Sequence, residues 1–134
     1  MTPEAARYLG MAQAFLAKAE GMRAQGWPDE AGRALYMAAF HAAQAAIFEI
    51  GGICAKTHQG VHTEFARIAR DFPSDDRETW LFLRRAYNLK TNADDGTGPI
   101  ENVTDEEAVA AILSARRFVE RLLAAISPLL SESS

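Results

Sequence analysis

One segment in the middle of the chain is apolar around almost its whole circumference, and it limits the possible folds more than any other feature. Between Ala34 and Ile50 the side chains with polar atoms are Tyr36, His41, Gln44 and Glu49. A helix without a continuous polar face is a buried helix. We therefore expect this segment to be the central helix of the protein, with Phe40 inside the core.

Helical spacing of apolar residues continues on both sides of this segment. The pattern predicts helices over about 3–25, 30–50, 59–72, 75–92 and 104–127, separated by glycine and proline, with a loop over 93–103. No segment has the alternation of a strand. We predict an all-α, antiparallel bundle of four long helices plus one shorter helix. The domain covers 1–128, and residues 129–134 form a frayed tail.

Several helix starts carry residues that can accept hydrogen bonds from a first helical turn. Asp29 follows a proline and is predicted to cap the central helix. Ser74 or Asp75 is predicted to cap the fourth helix. Thr104 and Glu107 have the spacing of a capping box, in which each side chain bonds the backbone of the other residue.

Composition narrows the class of protein. The 134 residues suffice for one domain with its own core. The single cysteine, Cys54, excludes an internal disulfide bond. The chain has no pattern of a signal peptide, and its apolar runs are shorter than the roughly 20 residues that span a bilayer. We therefore expect a cytoplasmic protein.

The net charge of −4 argues against a protein that coats nucleic acid in general, because that function needs an excess of lysine and arginine. The net charge does not exclude a local basic site, since many cationic residues lie in one short region: Arg67, Arg70, Arg77, Arg84, Arg85 and Lys90. The alternative is that these residues belong to solvated helix faces of mixed charge.

Two motifs resemble those of a known family. The run Arg33-Ala-Leu-Tyr-x-Ala-Ala-Phe-His-Ala-Ala, followed by Lys56-Thr-His-x-Gly-Val, resembles the HEPN superfamily. These small helical proteins are often encoded beside a minimal nucleotidyltransferase. The resemblance extends from about Ala5 to about Leu123 and implies a HEPN-like helical bundle.

The resemblance also implies a function. It suggests a homodimer that acts with a nucleotidyltransferase in a toxin–antitoxin or related defence or stress module. Such a protein binds or cleaves RNA at the dimer cleft. The alternative is a noncatalytic helical adapter that binds a protein or a nucleotide and has lost the nuclease site.

RNA-cutting HEPN proteins carry an Arg followed after four to six residues by a His. This chain lacks that spacing: seven residues separate Arg33 from His41, and no other Arg has a His at the required distance. Where the resemblance implies Arg-x-x-Ala-Asp-Tyr, the chain has Lys90 for the Arg and Asp95 for the Tyr. A lysine lacks the planar fork that clamps a phosphate. The catalytic candidates are Arg85, Lys90, Asp94 and Asp95, in a site that is degenerate as a nuclease.

Five residues are candidates for binding: Arg33, His41, Lys56, His58 and Arg84. Arg33 is expected to reach solvent or to form an ion pair with Asp94 or Asp95. His41 is expected to be a hydrogen-bonded core residue. His58 is predicted to cap the third helix by bonding backbone.

His58 and His62 have a spacing that can bind a metal, because a separation of four residues places both side chains on one helical face. A third ligand would have to come from His41, Cys54 or Glu64. We predict neither a metal nor a cofactor.

Overall fold

The computed structural model describes residues 1–95 and 101–127. Its helices are α1 (Pro3–Ala24), α2 (Pro28–Gly51), α3 (His58–Ala69), α4 (Arg77–Trp80), α5 (Phe82–Asp94) and α6 (Asp105–Ile126). A short 3-10 helix, Ser74–Asp76, precedes α4. Neither described range contains a strand. The prediction of an all-helical bundle is confirmed.

Helix α2 is the centre of the bundle, as its sequence predicts. It packs against α1, α3, α5 and α6. Leu35, Tyr36 and Ile47 are fully buried in it, and Phe40 is nearly so. Fully buried alanines on both α1 and α2 allow the two helices to approach closely along their length. Burial of apolar surface around α2 is therefore the main force that holds the domain together.

The predicted fourth helix is divided in the structure. The 3-10 helix leads into the single turn of α4, and Leu81 separates α4 from α5. Neither Ser74 nor Asp75 acts as a cap, since the 3-10 helix begins after Pro73 without a side-chain bond. Leu81 keeps a helical backbone conformation, and helical hydrogen bonds join Leu81 to Arg77 and Arg85 to Leu81 across this division. Helix α4 packs on α6, and α5 packs on α2 and α6. At its other end, α5 continues through Asp94, into the stretch predicted to be a loop.

The prediction that Asp29 caps α2 is wrong. The residue before α2 is Trp27, which makes no side-chain cap bond. The Asp29 carboxylate instead accepts hydrogen bonds from the amides of Asn102 and Val103, at 3.0 and 2.7 Å. It therefore ties the segment before α6 to the start of α2. The capping box of Thr104 is present as predicted.

Some predictions fall on other parts of the chain. Residues 96–100 of the predicted loop, Pro128 and the predicted tail over 129–134 lie outside the described residues. Within the described part of the chain, no helix is long and apolar enough to cross a membrane.

Candidate functional site

A groove with a volume of about 360 Å³ runs between α3 and the α4–α5 region. We call it the basic groove, and its lining residues are His62, Phe65, Ala66, Ala69, Arg70, Phe72, Pro73, Ser74, Arg77, Trp80, Leu81, Leu83 and Arg84. The apolar part of the groove is formed by side chains that contact each other: the ring centres of Phe72 and Trp80 lie 4.6 Å apart. The indole Nε1 of Trp80 donates to the Pro73 carbonyl at 3.0 Å. The groove thus has an aromatic wall in a defined orientation.

The charged part of the groove consists of Arg70, Arg77 and Arg84, one from the end of α3, one from α4 and one from α5. In the part of the chain that the structure describes, none of these guanidinium groups forms a salt bridge; the salt bridges there use other cations. Several positive charges that line one concave, partly apolar surface attract anions. The groove is therefore a local basic site on a chain of net negative charge.

A cluster of hydrogen-bonded rings borders the groove. The hydroxyl of Tyr36, which is fully buried, lies 2.8 Å from His58 Nδ1 and 3.1 Å from His62 Nε2. Tyr87 closes the cluster from α5, with its ring 5.3 Å from that of Tyr36. His58 is thus held by a side chain of α2, and the prediction that it caps α3 is wrong. The cap is Thr57, whose hydroxyl accepts from the Gly60 amide.

Burial controls protonation in this cluster. It raises the pKa of Tyr36 to about 12, so this phenol keeps its proton at neutral pH. The pKa of His62 is lowered, first by burial and then by the neighbouring His58 and the positive charge of Arg84. His62 is therefore a neutral imidazole near pH 7. No third His, Cys, Asp or Glu among the described residues joins the two histidines to form a metal site.

The end of α5 carries an ion-pair network rather than an open site. Arg33 Nε donates to Asp94 Oδ1 at 2.8 Å, and a second guanidinium nitrogen donates to the Ala93 carbonyl at 2.9 Å. Lys90 Nζ lies 2.7 Å from the other Asp94 oxygen. These partners lower the pKa of Asp94, Lys90 most and Arg33 next. The ion pair predicted for Arg33 is present and joins α2 to α5, while Asp95 is exposed just beyond α5.

The remaining candidates lie apart from one another. His41 is buried, and its Nδ1 lies 2.7 Å from Gln44 Oε1, as expected of a core residue. Lys56 is exposed. Arg85 forms an ion pair with Glu78 and lines a second cleft, between α5 and α6. Of the candidates from sequence, the structure therefore brings only His58 and Arg84 close to the basic groove.

Sequence reasoning missed the roles of Tyr36, His62, Arg70 and Arg77. In the sequence, Tyr36 stands out only as a polar side chain on an apolar helix, and His62 only as a possible metal ligand. Arg70 and Arg77 belong to the basic region of the sequence, but the sequence does not indicate that they line a groove. The spacing of His58 and His62 was the one usable signal, since it places both rings on the same face of α3.

A family model described as the HEPN domain matches residues 5–125. The chain belongs to the HEPN family. The matched region of this HEPN protein contains α2 to α5 and nearly all of α1 and α6, and hence the whole basic groove. No curated protein matches the chain. Family membership establishes the fold and a nuclease, RNA-related or adapter class, and the fold by itself does not determine the chemistry.

Proposed function

We propose that this HEPN protein binds single-stranded RNA in the basic groove. Arg70, Arg77 and Arg84, which have no carboxylate partner in the described part of the chain, are the observation that carries the proposal. Guanidinium groups bind phosphate oxygens through paired hydrogen bonds. We further propose that the protein is cytoplasmic and works with a separate nucleotidyltransferase in a toxin–antitoxin or related defence or stress module.

The shape of the groove favours an unpaired strand over a duplex. Its volume of about 360 Å³ lies at the lower end of small-ligand sites, which suits a nucleotide or two and not a double helix. Phe72 and Trp80 offer aromatic surface on which an unstacked base can pack. Arginines around an aromatic wall are the combination with which proteins hold single strands without reading their sequence.

Replacing Arg70, Arg77 and Arg84 together with alanine should weaken RNA binding by at least about tenfold and reduce the slope of log K against log salt by about 2, because three phosphate contacts are lost. Fluorescence anisotropy with a labelled single-stranded RNA measures both quantities. The matched control replaces Arg23, Arg67 and Arg116, which form ion pairs with Asp105, Glu64 and Glu20. Equal weakening by both triple variants would show that total charge matters and not the groove.

The second candidate function is a noncatalytic adapter. It is favoured by the end of α5, where Lys90 and Asp94 are engaged in the network with Arg33. In that case RNA should not bind, and the groove variant should lose a protein partner or a nucleotide instead. A nucleotidyltransferase gene beside this one, and retention of its purified product by the wild-type chain, would support the paired system in either case.

We also propose that the protein is a homodimer, as HEPN domains commonly are. The alanines of α2 do not supply the interface, because they are buried within the single chain. Apolar surface remains on α6, where Leu113 is 60% exposed and Val109 is 37% exposed, one turn apart. Exposed apolar patches of this kind mark interfaces.

Sedimentation at micromolar concentration should give the mass of two chains, and Leu113→Glu should shift it towards one chain. The reason is that a carboxylate in an apolar interface loses its hydration without gaining a partner. Thr63→Glu, an exposed position on α3, is the control. A single-chain mass for the wild type would contradict the homodimer.

A further inference from the structure

We propose that Tyr36, His58 and His62 form an acid-sensitive switch between α2 and α3. The contact is stable while at most one of the two histidines is protonated. A second proton weakens the attachment of α3, which carries one wall of the basic groove. The inference does not depend on which ligand the groove binds.

The switch lies at the N-terminal end of α3. His58 is the first residue of that helix and His62 follows about one turn later. Both rings stack on the ring of Tyr36, with centres 5.5 and 6.0 Å apart. Tyr36 is fully buried in α2, the helix on which α3 chiefly packs. A change in these bonds therefore acts on the main contact between α3 and the rest of the bundle.

One hydroxyl serves both histidines. The Tyr36 oxygen lies 2.8 Å from His58 Nδ1 and 3.1 Å from His62 Nε2, and it has no other hydrogen-bond partner among the described residues. A hydroxyl donates one hydrogen bond and accepts two, whereas a protonated imidazole can only donate. While at least one histidine is neutral, Tyr36 donates to that ring and accepts from the other. Each polar group of the switch then has a partner.

A second protonation disrupts this arrangement. Both histidines then direct an N–H group at the Tyr36 oxygen, and the phenol proton is left without an acceptor. A buried donor without a partner destabilises the folded state. The two charged rings are also close neighbours, since both nitrogens lie within 3.1 Å of the same oxygen. Like charges at such a separation disfavour the doubly protonated form.

The surroundings do not compensate for a second charge. Burial, followed by His58 and the charge of Arg84, lowers the pKa of His62. Tyr87 of α5 packs against both histidine rings, and Lys90 Nζ lies 5.9 Å from the centre of the Tyr87 ring. In the part of the chain that the structure describes, no carboxylate forms a salt bridge with either histidine. The charged neighbours of the switch on α5 are therefore positive.

Acid should destabilise the fold in the pH range where histidine titrates. In the unfolded chain both histidines bind a proton below their ordinary pKa of about 6.5, whereas the folded switch takes up one. Because the unfolded state binds more protons, stability is complete above that pH and falls as the pH decreases. One proton withheld at about pH 5 corresponds to a rise of about 30-fold in the equilibrium constant of unfolding.

The test is urea unfolding of the full chain at about pH 7.5 and about pH 5, a range in which most carboxyl groups stay ionised. The wild type should show the rise of about 30-fold. His58→Gln and His62→Gln should each reduce it to below about tenfold, because an amide oxygen can accept from Tyr36 at any pH. His41→Gln is the matched control and should keep the wild-type rise, since His41 bonds Gln44 outside the switch.

A second measurement keeps the proposal testable where a variant does not fold. NMR titration of the wild-type imidazoles should show two histidines that titrate as a coupled pair, with the second proton bound at a lower pH than the first. His41 should titrate independently of them. Amide hydrogen exchange, corrected for the intrinsic effect of pH on its rate, should increase in α3 more than in α1 at about pH 5.

Four results would overturn the switch. A wild-type rise below about threefold shows that the folded protein accepts both protons. A rise that His62→Gln removes and His58→Gln leaves unchanged shows that burial of one histidine is responsible, and not a shared hydroxyl. A rise that His41→Gln removes places the acid response elsewhere in the core. Independent titration of His58 and His62 in the wild type contradicts their coupling through Tyr36.

Discussion

Replacing Phe40 with alanine should lower the free energy of unfolding by about 3–5 kcal/mol, because a large cavity is left in a rigid core. Phe40 is 6% exposed at the centre of α2. Its ring lies 5.2 Å from that of His58 and 6.0 Å from that of Tyr36, so the change also loosens the cluster beside the basic groove. Urea unfolding followed by circular dichroism measures the loss.

The control for Phe40→Ala is Ile50→Ala, also at a large apolar residue of α2 but 47% exposed. It should change the unfolding free energy by less than about 0.5 kcal/mol, as is usual for surface positions. A loss below about 1 kcal/mol for Phe40→Ala would contradict the central position of α2, since a buried phenylalanine costs several times that amount.

Replacing Asp76 with alanine should lower the unfolding free energy by about 2–3 kcal/mol, the range for hydrogen bonds to a charged group. The buried carboxylate accepts from Thr79 Oγ1 at 2.7 Å and from Arg117 at 3.1 Å. Arg121 Nε lies 2.6 Å from the second oxygen. These contacts join the 3-10 helix and α4 to α6, so their loss should release the wall of the groove that carries Trp80.

The contribution of Asp76 should depend on pH. Its bonds to Thr79 and Arg117, and the charge of Arg121, hold the pKa of this carboxyl below its usual value. A group whose pKa is lowered by folding stabilises the folded state above its unfolded pKa. The contribution should therefore be complete at neutral pH and disappear as the pH falls below about 4.

Unfolding of Asp76→Ala and wild type at several pH values measures this dependence. The difference between the two proteins should shrink in acid. Asp75→Ala, at the exposed neighbouring position, is the control and should have little effect at any pH. A difference that is constant from neutral to strongly acid pH would show that the Asp76 carboxylate is not what stabilises the fold.

The candidate site could be predicted only in part. Arg84 and His58 were chosen from a family resemblance, and both lie at or beside the groove. The catalytic candidates at the end of α5 come from the same resemblance and stay a prediction. What escaped sequence reasoning is that His58 bonds a phenol of α2. A helix cap is a contact within one turn and is the local expectation, whereas Tyr36 lies 22 residues away along the chain.

The features that the sequence determined by itself are local ones. The apolar circumference of α2, the capping box at Thr104 and the shared face of His58 and His62 each depend on residues within one or two helical turns. Periodicity and capping chemistry are sufficient to predict such features, because their partners are set by helical geometry. The family motif adds the fold, since it places those helices in a known order.

Only the tertiary structure decided which distant residues meet. Arg70, Arg77 and Arg84 line one groove because the end of α3 lies beside α4 and the start of α5 in the folded bundle. The Asp29 carboxylate binds the segment before α6 and does not cap its own helix, since Asp29 lies within the first turn of α2 and accepts from the amides of Asn102 and Val103. Contacts between residues that are distant in sequence depend on how the helices pack around a shared core. These contacts have no periodic pattern in the sequence from which they could be predicted.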